Sequence, residues 1–373
     1  GMAPIHLAAW FGSLDILKLL VQAGAEQKVE NQSGNRAFAL AADNGCVNML
    51  EVLREQYNMD TMKPNQDGET ALYLAVNNGH DACALALLEA GCEPNIFMGK
   101  SSVLHPVSEK GDTSFLQLLL GHKADTNARN QVRKQFFFSL NRFPTLFFIC
   151  GLYSQDQEAP LHLAVKNNHI PVIHCLLTAG CDINATDKRS QTALHIAAEL
   201  AKIDVVEMLL KAEFDLTIED KQGKTALGVA ARADEAIIAD MIIKAERYYA
   251  WRKANPEVNE TVHSQYPLTF KPDHRLETKQ FRSVVWRLAY ELLKPADWKR
   301  LAEHWAFTKE QILAIEEQWT GQHSYKEHGN RMLLIWLHGA ELAGMSPAKE
   351  LYQALVSTGN SKAAGAPTGR SDF

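Results

Sequence analysis

Gln191-Thr192-Ala193-Leu194-His195-Ile196-Ala197-Ala198 is the stretch that decides the fold of this chain, because its phrase returns along the sequence. Further copies, with substitutions, begin at Ala3, Arg36, Thr70, Ser102, Ala159 and Thr225. Three of the steps, from Ala3 to Arg36, from Ala159 to Thr192 and from Thr192 to Thr225, are 33 residues long. A fixed period of this length predicts a stack of repeated helix pairs.

The residues of the phrase predict a short, thin helix with defined ends. A threonine at its start can cap the helix through the hydroxyl, and the paired alanines let a neighbouring helix approach closely. Glycines such as Gly12, Gly45 and Gly79 then end the helix, because a residue without a Cβ suits a left-handed C-cap. A second helix follows with apolar residues at helical spacing, as in residues 205–210. One pair cannot bury this stripe alone, so stability depends on the neighbouring pair.

This period and phrase resemble ankyrin repeats, and the resemblance implies an all-α solenoid of about seven repeats over residues 1–250. Ankyrin proteins in general meet protein partners at their hairpin tips, which points here to Lys188 and Arg189 as candidate contacts for a client of unknown identity. The family also implies hydroxylation of hairpin asparagines, and Asn184 is the best match. Because residues 1–2 run directly into the first helix without a polar capping repeat, we expect further repeats before residue 1.

The period breaks between the fourth and fifth repeats, where residues 131–154 form an anomalous insert in the hairpin. Removing them joins Asn130 to Gln155 and restores a standard repeat. The insert begins Gln-Val-Arg-Lys and continues rich in Phe, Leu and Ser, a pattern that resembles a translated intron. A hydrophobic binding loop and a membrane-dipping loop are the alternatives, although the run is too short to span a bilayer.

A proline-punctuated polar stretch ends the array, and we predict a linker over residues 251–276. The helical segments that follow carry five of the seven tryptophans, enough apolar surface for a small core of their own. Their motif Asp-Trp-x-x-Leu-Ala at residues 297–302, followed by Leu-x-x-Trp at 333–336, resembles a death domain. The whole chain is therefore similar to the ankyrin-repeat and death-domain-containing proteins. The resemblance implies a six-helix bundle over residues 277–358. The sequence that would supply the sixth helix is rich in glycine and alanine, which makes it a poor helix. We predict a disordered tail over residues 359–373.

The death-domain resemblance implies partners that are death-domain proteins, or self-association through residues 277–358. Basic residues gather around the start of the second helix of this module, at Lys294, Lys299 and Arg300. Acidic residues lie on the third helix, at Glu310, Glu316 and Glu317. Opposite charges on different faces suit head-to-tail assembly, so we expect these residues to form a protein-interaction surface.

The composition disfavours several classes of partner. A net charge of −6 and a pI near 6.2 give no basic footprint for a nucleic acid or an anionic membrane. We recognise neither a signal peptide nor an apolar run long enough to cross a bilayer. The six cysteines form no CxxC pair and no zinc spacing, which favours reduced thiols and a cytoplasmic location.

No catalytic phrase such as GxGxxG, GxxxxGKS/T, HExxH or GxSxG is present, so we do not expect an enzyme or a cofactor. Histidines recur at one repeat position, at His6, His105, His162 and His195, and a structural role is favoured over a metal site. Two functions stay open. One is a signalling adaptor that captures a client through the array and recruits death-domain partners, and the other is a scaffold or sequestering protein whose C-terminal module is only a structural cap.

Overall fold

The computed structural model describes residues 1–95, 102–130, 157–256, 268–276 and 278–365. Within these ranges the regular elements are helices and no strand is present, which confirms the all-α prediction. The chain divides into two compact units, Gly1–Ala193 and Leu194–Phe373. The predicted insert, residues 131–154, lies outside the described residues.

The described residues of the first unit form five helix pairs, each with a seven-residue inner helix and a nine-residue outer helix. The pairs are α1 (Pro4–Trp10) with α2 (Leu14–Gln22), α3 (Ala37–Asp43) with α4 (Val47–Glu55), α5 (Ala71–Asn77) with α6 (Asp81–Glu89), α7 (Leu104–Lys110) with α8 (Thr113–Gly121), and α9 (Pro160–Lys166) with α10 (Ile170–Thr178). Inner helices contact successive inner helices, and the motif alanines Ala9, Ala42, Ala75 and Ala164 are fully buried between them. Helix α7 contacts α9 directly, so the insert does not interrupt the stack.

The inner helices end where the sequence predicts, but the residue that ends them changes along the chain. Gly12, Gly45, Gly79 and Gly111 all have a positive φ there. Later repeats place Asn168, Ala201 and Asp234 at the same point, with φ of 59°, 55° and 59°. Side chains with a Cβ tolerate this conformation at a cost, so the later repeats carry local strain that the earlier ones avoid.

The second unit combines the last two repeats with the C-terminal helices. The repeat helices are α11 (Ala193–Glu199), α12 (Ile203–Lys211), α13 (Ala226–Arg232) and α14 (Ala236–Ala254). The C-terminal helices are α15 (Lys279–Arg287), which continues as a π-helix (Leu288–Leu292), α16 (Asp297–His304), α17 (Lys309–Glu317), α18 (Ser324–Leu342), α19 (Pro347–Ser357) and α20 (Ser361–Gly365). Their core includes Trp298 and Trp336, and the half-buried Trp305 stacks on Trp336 with ring centroids 4.3 Å apart.

Two predicted boundaries differ from the structure. Helix α14 continues to Ala254, into the predicted linker, because Tyr248 and Trp251 stack on one face and extend its apolar surface. Residues 361–365, predicted as part of a disordered tail, form α20, where Ala363 and Ala364 are buried and small enough to pack closely beside α19. Residues 257–267, within the predicted linker, lie outside the described part of the chain, as does the end of the tail, residues 366–373.

Candidate protein-binding surfaces

The hairpin that carries Lys188 and Arg189 is held closed from within. The Asp187 carboxylate accepts hydrogen bonds from the backbone N–H groups of Arg189 and Gln191, at 2.7 and 2.8 Å. Asn31, Asn65 and Asp220 do the same in other hairpins. Because this acceptor satisfies the turn locally, the side chains of Lys188 and Arg189 are left exposed on a fixed tip.

A similar pair of hydrogen bonds closes the hairpin that carries the insert, between residues on either side of the inserted segment. Asn130 N–H donates to the Glu158 carbonyl at 3.0 Å, and Glu158 N–H donates to Asn130 Oδ1 at 2.5 Å. Asn130 and Glu158 therefore take the positions that Asp187 and Gln191 hold in the next hairpin. The base of the hairpin forms as if residues 131–154 were absent, while the predicted origin of the insert stays a hypothesis.

The recurrent histidines link the inner helices that carry them, α1, α7, α9 and α11, to the following hairpin. In His162, Nδ1 accepts from Ala159 N–H at 3.0 Å, and Nε2 lies 3.2 Å from the Gln191 carbonyl. His6, His105 and His195 approach the carbonyls of Val29, Glu158 and Lys224 in the same way. Burial lowers the pKa of His105 and His162, so these rings are neutral and serve as structural links.

Asn184, the candidate for hydroxylation, is half-buried in a hairpin, and its N–H donates to Asp182 Oδ1 at 3.1 Å. Its counterpart one repeat earlier, Asn127, uses its side-chain oxygen to accept from Asp182 N–H at 2.6 Å. Asn95 likewise accepts from Asp125 N–H at 2.7 Å. Asparagine side chains at this position therefore join successive hairpins of the first unit, whereas hydroxylation of Asn184 stays a prediction.

The charges predicted to form an interaction surface in the C-terminal helices are partly paired with one another. Lys299 on α16 forms an ion pair with Glu316 on α17, so these two opposite charges share one face. Arg300 pairs with the buried Asp297 on its own helix. Glu310 accepts a hydrogen bond from the Thr225 hydroxyl at 2.7 Å, at the start of α13. The remaining predicted residues, Lys294 and Glu317, have exposed side chains.

Helices α17 and α18 pack against α13 and α14, and we call this contact the joint. At its centre Arg331 of α18 lies against Asp240 of α14, with Nη2 2.7 Å from Oδ1. The Arg331 side chain is only 5% exposed. A buried guanidinium requires such a partner, so this pair fixes how the C-terminal helices meet the last repeat.

Two neighbouring residues of α14 add polar contacts to the joint. Gln311 donates to the Glu246 carboxylate at 2.8 Å, and burial raises the pKa of Glu246 to about 7. Arg247 donates to the Trp305 carbonyl at 3.0 Å, and its guanidinium carbon lies 3.9 Å from the centroid of the Phe307 ring. Desolvation lowers the pKa of Arg247 to about 10. The end of the array is therefore covered by specific, partly dehydrated contacts.

The joint does not follow from the repeat pattern or from the motifs of the sequence. Arg331 stands among apolar residues of α18, and Asp240 interrupts a similar run in α14. A charged residue inside an apolar stripe is a usable signal, because burial without a partner is costly. That signal alone does not say which charge pairs with which.

The described residues contain no group of three or more potential metal ligands, and none of their helices is long and apolar enough to cross a membrane. Five cysteines lie in the described ranges and are free thiols, and Cys150 lies outside them. Burial raises the pKa of Cys83 and of Cys181 to about 11. These two thiols are protonated at neutral pH and are poor nucleophiles.

Comparison with known proteins identifies the repeats. The family described as ankyrin repeats, in three copies, matches residues 5–98 and 161–250. The chain carries ankyrin repeats. The two matched segments lie on either side of the insert, and ankyrin repeats are protein-interaction modules. The death-domain resemblance of residues 277–358 lies beyond the matched segments and stays a prediction.

Three curated relatives each match about half of this chain. The B-cell lymphoma 3 protein homolog of Mus musculus is 30% identical over 185 residues, which are 48% of this chain and 36% of that protein. Rabankyrin-5 of Mus musculus is 24% identical over 195 residues, 52% of this chain and 15% of that protein. The ankyrin repeat and KH domain-containing protein mask-1 of Caenorhabditis elegans is 28% identical over 208 residues, 51% of this chain and 8% of that protein. The chain thus spans little more than a third of the first relative and far less of the others.

Two solved structures are also similar. The ankyrin repeat domain of Bcl-3 superposes with a TM-score of 0.49 at 24% identity, covering 62% of this chain and 94% of that one. The human ASB11 ankyrin repeat domain gives a TM-score of 0.48 at 22% identity, covering 61% and 92%.

Proposed function

We propose that the ankyrin array is a cytoplasmic scaffold that captures a folded protein partner, and that the C-terminal helices serve mainly to cap its last repeat. The observation that carries the second part is the dehydrated ion pair between Arg331 and Asp240. An ankyrin-type array needs cover at its end, because each repeat buries its apolar face against a neighbour. In the last repeat Val229, Ile238 and Met241 are buried.

The hairpin tips are the surface that the proposal assigns to the partner. Lys188 and Arg189 are exposed side by side on a tip that Asp187 holds closed. Two adjacent cations on a fixed turn suit an acidic patch on the partner, and they stand out on a chain with a net charge of −6. We therefore propose a partner protein with an acidic surface, bound in a salt-sensitive way.

The test is affinity capture from cytosolic extract with the full chain as bait. Wild type is compared with a Lys188→Glu, Arg189→Glu variant and with a control of equal charge change, Lys18→Glu, Lys349→Glu, at two exposed lysines far from the tip in sequence. We expect a salt-sensitive partner that the control retains and the tip variant loses. Equal recovery from all three baits contradicts the role of the tip.

A second candidate is the adaptor, in which the C-terminal helices also recruit a death-domain protein or a second copy of this chain. An aromatic pair on α15 and the π-helix that continues it favours this adaptor: Trp286 stacks on Tyr290 with centroids 4.8 Å apart, and Trp286 is exposed. Light scattering of the full chain across a concentration series tests self-association. The adaptor predicts assembly that Lys299→Glu, Arg300→Glu abolishes without unfolding, whereas a monomer at all concentrations, without a death-domain partner in the capture experiment, favours the cap.

A further inference from the structure

Residues 268–272, here called the strap, cross a groove between the last two repeats and helix α18. The Phe270 side chain at the centre of the strap is completely buried. Its ring centroid lies 5.9 Å from that of Tyr248, 6.2 Å from that of Tyr249 and 6.0 Å from that of His338. Three aromatic rings from α14 and α18 therefore enclose one phenylalanine.

The groove also binds the backbone of the strap. The Glu207 carboxylate accepts from Phe270 N–H at 3.0 Å, and His338 Nε2 lies 2.7 Å from the Thr269 carbonyl. Lys244 Nζ donates to the carbonyls of Phe270 and Lys271, both at 3.4 Å. Each of these side chains binds a main-chain group, and backbone contacts of this kind hold an extended peptide in place.

The charges in the groove are costly unless something occupies it. Glu207 and Lys244 are each only 7% exposed, and a buried charge requires a partner. Glu207 also pairs with Lys211 at 3.0 Å, but its contact with Phe270 N–H is supplied by the strap. At the rim of the groove Lys271 of the strap pairs with Asp204 at 2.6 Å. The groove thus offers an aromatic pocket, side-chain donors and acceptors for the backbone of a peptide, and an acidic position for the residue after the phenylalanine.

We propose that Glu207, Lys244 and His338, with Tyr248 and Tyr249, form a binding site for a linear peptide that carries phenylalanine followed by lysine. The strap is its ligand within the chain, and a free peptide of the same chemistry displaces it. The strap clamps α12 and α14 to α18 from one side, so its displacement loosens that contact. This site goes beyond the capture of a partner by the hairpin tips and does not depend on it.

Tethering explains why a modest site stays occupied by its own strap. The strap follows α14 in the same chain, and a ligand that is covalently joined to its own site has an effective concentration on the order of millimolar. If the site binds the strap with a dissociation constant of about 100 µM, the occupied form then exceeds the free form by roughly ten to one. A competing peptide must therefore be present well above its own dissociation constant, or the binding of the strap must first be weakened.

The test uses the full chain with Phe270→Ala, which empties the aromatic pocket, and a fluorescent peptide of residues 268–275, Leu-Thr-Phe-Lys-Pro-Asp-His-Arg. Fluorescence anisotropy should show saturable binding to the variant and at least tenfold weaker binding to wild type. A peptide with alanine in place of its phenylalanine should not bind. The double variant Glu207→Ala, Phe270→Ala lacks the acceptor for the peptide N–H and should bind at least tenfold more weakly than Phe270→Ala alone.

Circular dichroism confirms that each variant is folded. If Phe270→Ala unfolds the chain, Phe270→Leu weakens the strap more gently and the same comparison is made with it. Absence of peptide binding to a folded variant at about 1 mM overturns the proposal and leaves Phe270 a plain core residue. Unchanged binding to the double variant Glu207→Ala, Phe270→Ala, or equal binding of the alanine peptide, overturns the assigned recognition.

Discussion

Arg331 on α18 and Asp240 on α14 face each other across the joint, with Nη2 2.7 Å and Nε 3.0 Å from Oδ1. Asp240→Ala removes the carboxylate and leaves the guanidinium buried without a counter-charge. Breaking one half of such a pair is strongly unfavourable, so we expect the free energy of unfolding to fall by about 3 kcal/mol. Urea denaturation of the full chain measures this change.

The matched control is Asp204→Ala, which removes the carboxylate that pairs with Lys271 at the surface. Asp204 is 68% exposed, and an ion pair in water contributes little, so we expect a loss of no more than about 0.5 kcal/mol. Similar losses for the two variants would show that the Arg331 pair does not hold the joint.

The closed base of the hairpin that carries the insert predicts that the insert can be removed. Deleting residues 131–154 leaves Asn130 and Glu158 free to form the contacts that they already make. A shorter loop loses less conformational entropy when its ends come together, so we expect the free energy of unfolding to rise by about 1.5 kcal/mol. Thermal unfolding checks this, and a deletion variant that fails to fold would contradict it.

A second substitution tests the base itself. Asn130→Ala in the deleted chain removes the side-chain acceptor for Glu158 N–H, which should cost about 1 kcal/mol. The deletion also separates two interpretations of residues 131–154. A binding loop predicts that a partner is lost with the segment while stability is kept, and a translated intron predicts that nothing is lost.

Much of the array could be predicted from the sequence because its rules are local and repeated. Helix starts follow from residues such as Thr70 and Thr225, whose hydroxyls accept from Tyr73 N–H and Gly228 N–H. A one-dimensional pattern carries this information, since each repeat contacts only its neighbours. The all-α class and the ankyrin repeats were confirmed for that reason.

The joint and the strap could not be predicted because they depend on pairings between distant residues that follow no period. Asp240 and Arg331 are 91 positions apart, and either is an ordinary charged residue in its own helix. Phe270 lies in a stretch that reads as a linker, and only the rings of Tyr248, Tyr249 and His338 show why it is buried. In the sequence Lys299 and Glu316 belong to separate charged groups, and only the fold brings them into an ion pair.

The left-handed residues at the ends of the inner helices predict opposite effects for opposite substitutions. Ala201 has a φ of 55°, so Ala201→Gly should stabilise the chain by about 1 kcal/mol. Gly111→Ala should destabilise it by about 2 kcal/mol or more, because the new Cβ would also lie 2.4 Å from the His169 ring.

Gly24→Ala measures the cost of the left-handed backbone conformation without a steric clash. Gly24 has a φ of 87°, and nothing lies within 4 Å of a Cβ placed there, so only the backbone conformation opposes the substitution. We expect a loss of about 1 kcal/mol, smaller than that of Gly111→Ala. Urea denaturation gives the free energy of unfolding of the three variants. Equal losses for Gly24→Ala and Gly111→Ala would show that the clash with His169 does not contribute.

Glu246 predicts a pH dependence of the joint. Removal from water raises the pKa of its carboxyl from 4.5 to about 7, Glu310 adds to the rise, and the hydrogen bond from Gln311 opposes it. The folded state therefore binds this proton more tightly than the unfolded state does. The stability contributed by the protonated form is fully present below pH 4.5 and is lost as the pH rises through 7.

Glu246→Gln keeps the acceptor for Gln311 and removes the titration. Between pH 5 and pH 8 we expect wild type to lose about 2 kcal/mol relative to the variant, since each pKa unit corresponds to about 1.4 kcal/mol. Urea denaturation of both chains at several pH values gives this difference directly, because every other group titrates in both. Parallel curves for the two chains would mean that Glu246 is ionised in the folded protein at low cost, and the joint would then hold equally well on both sides of neutral pH.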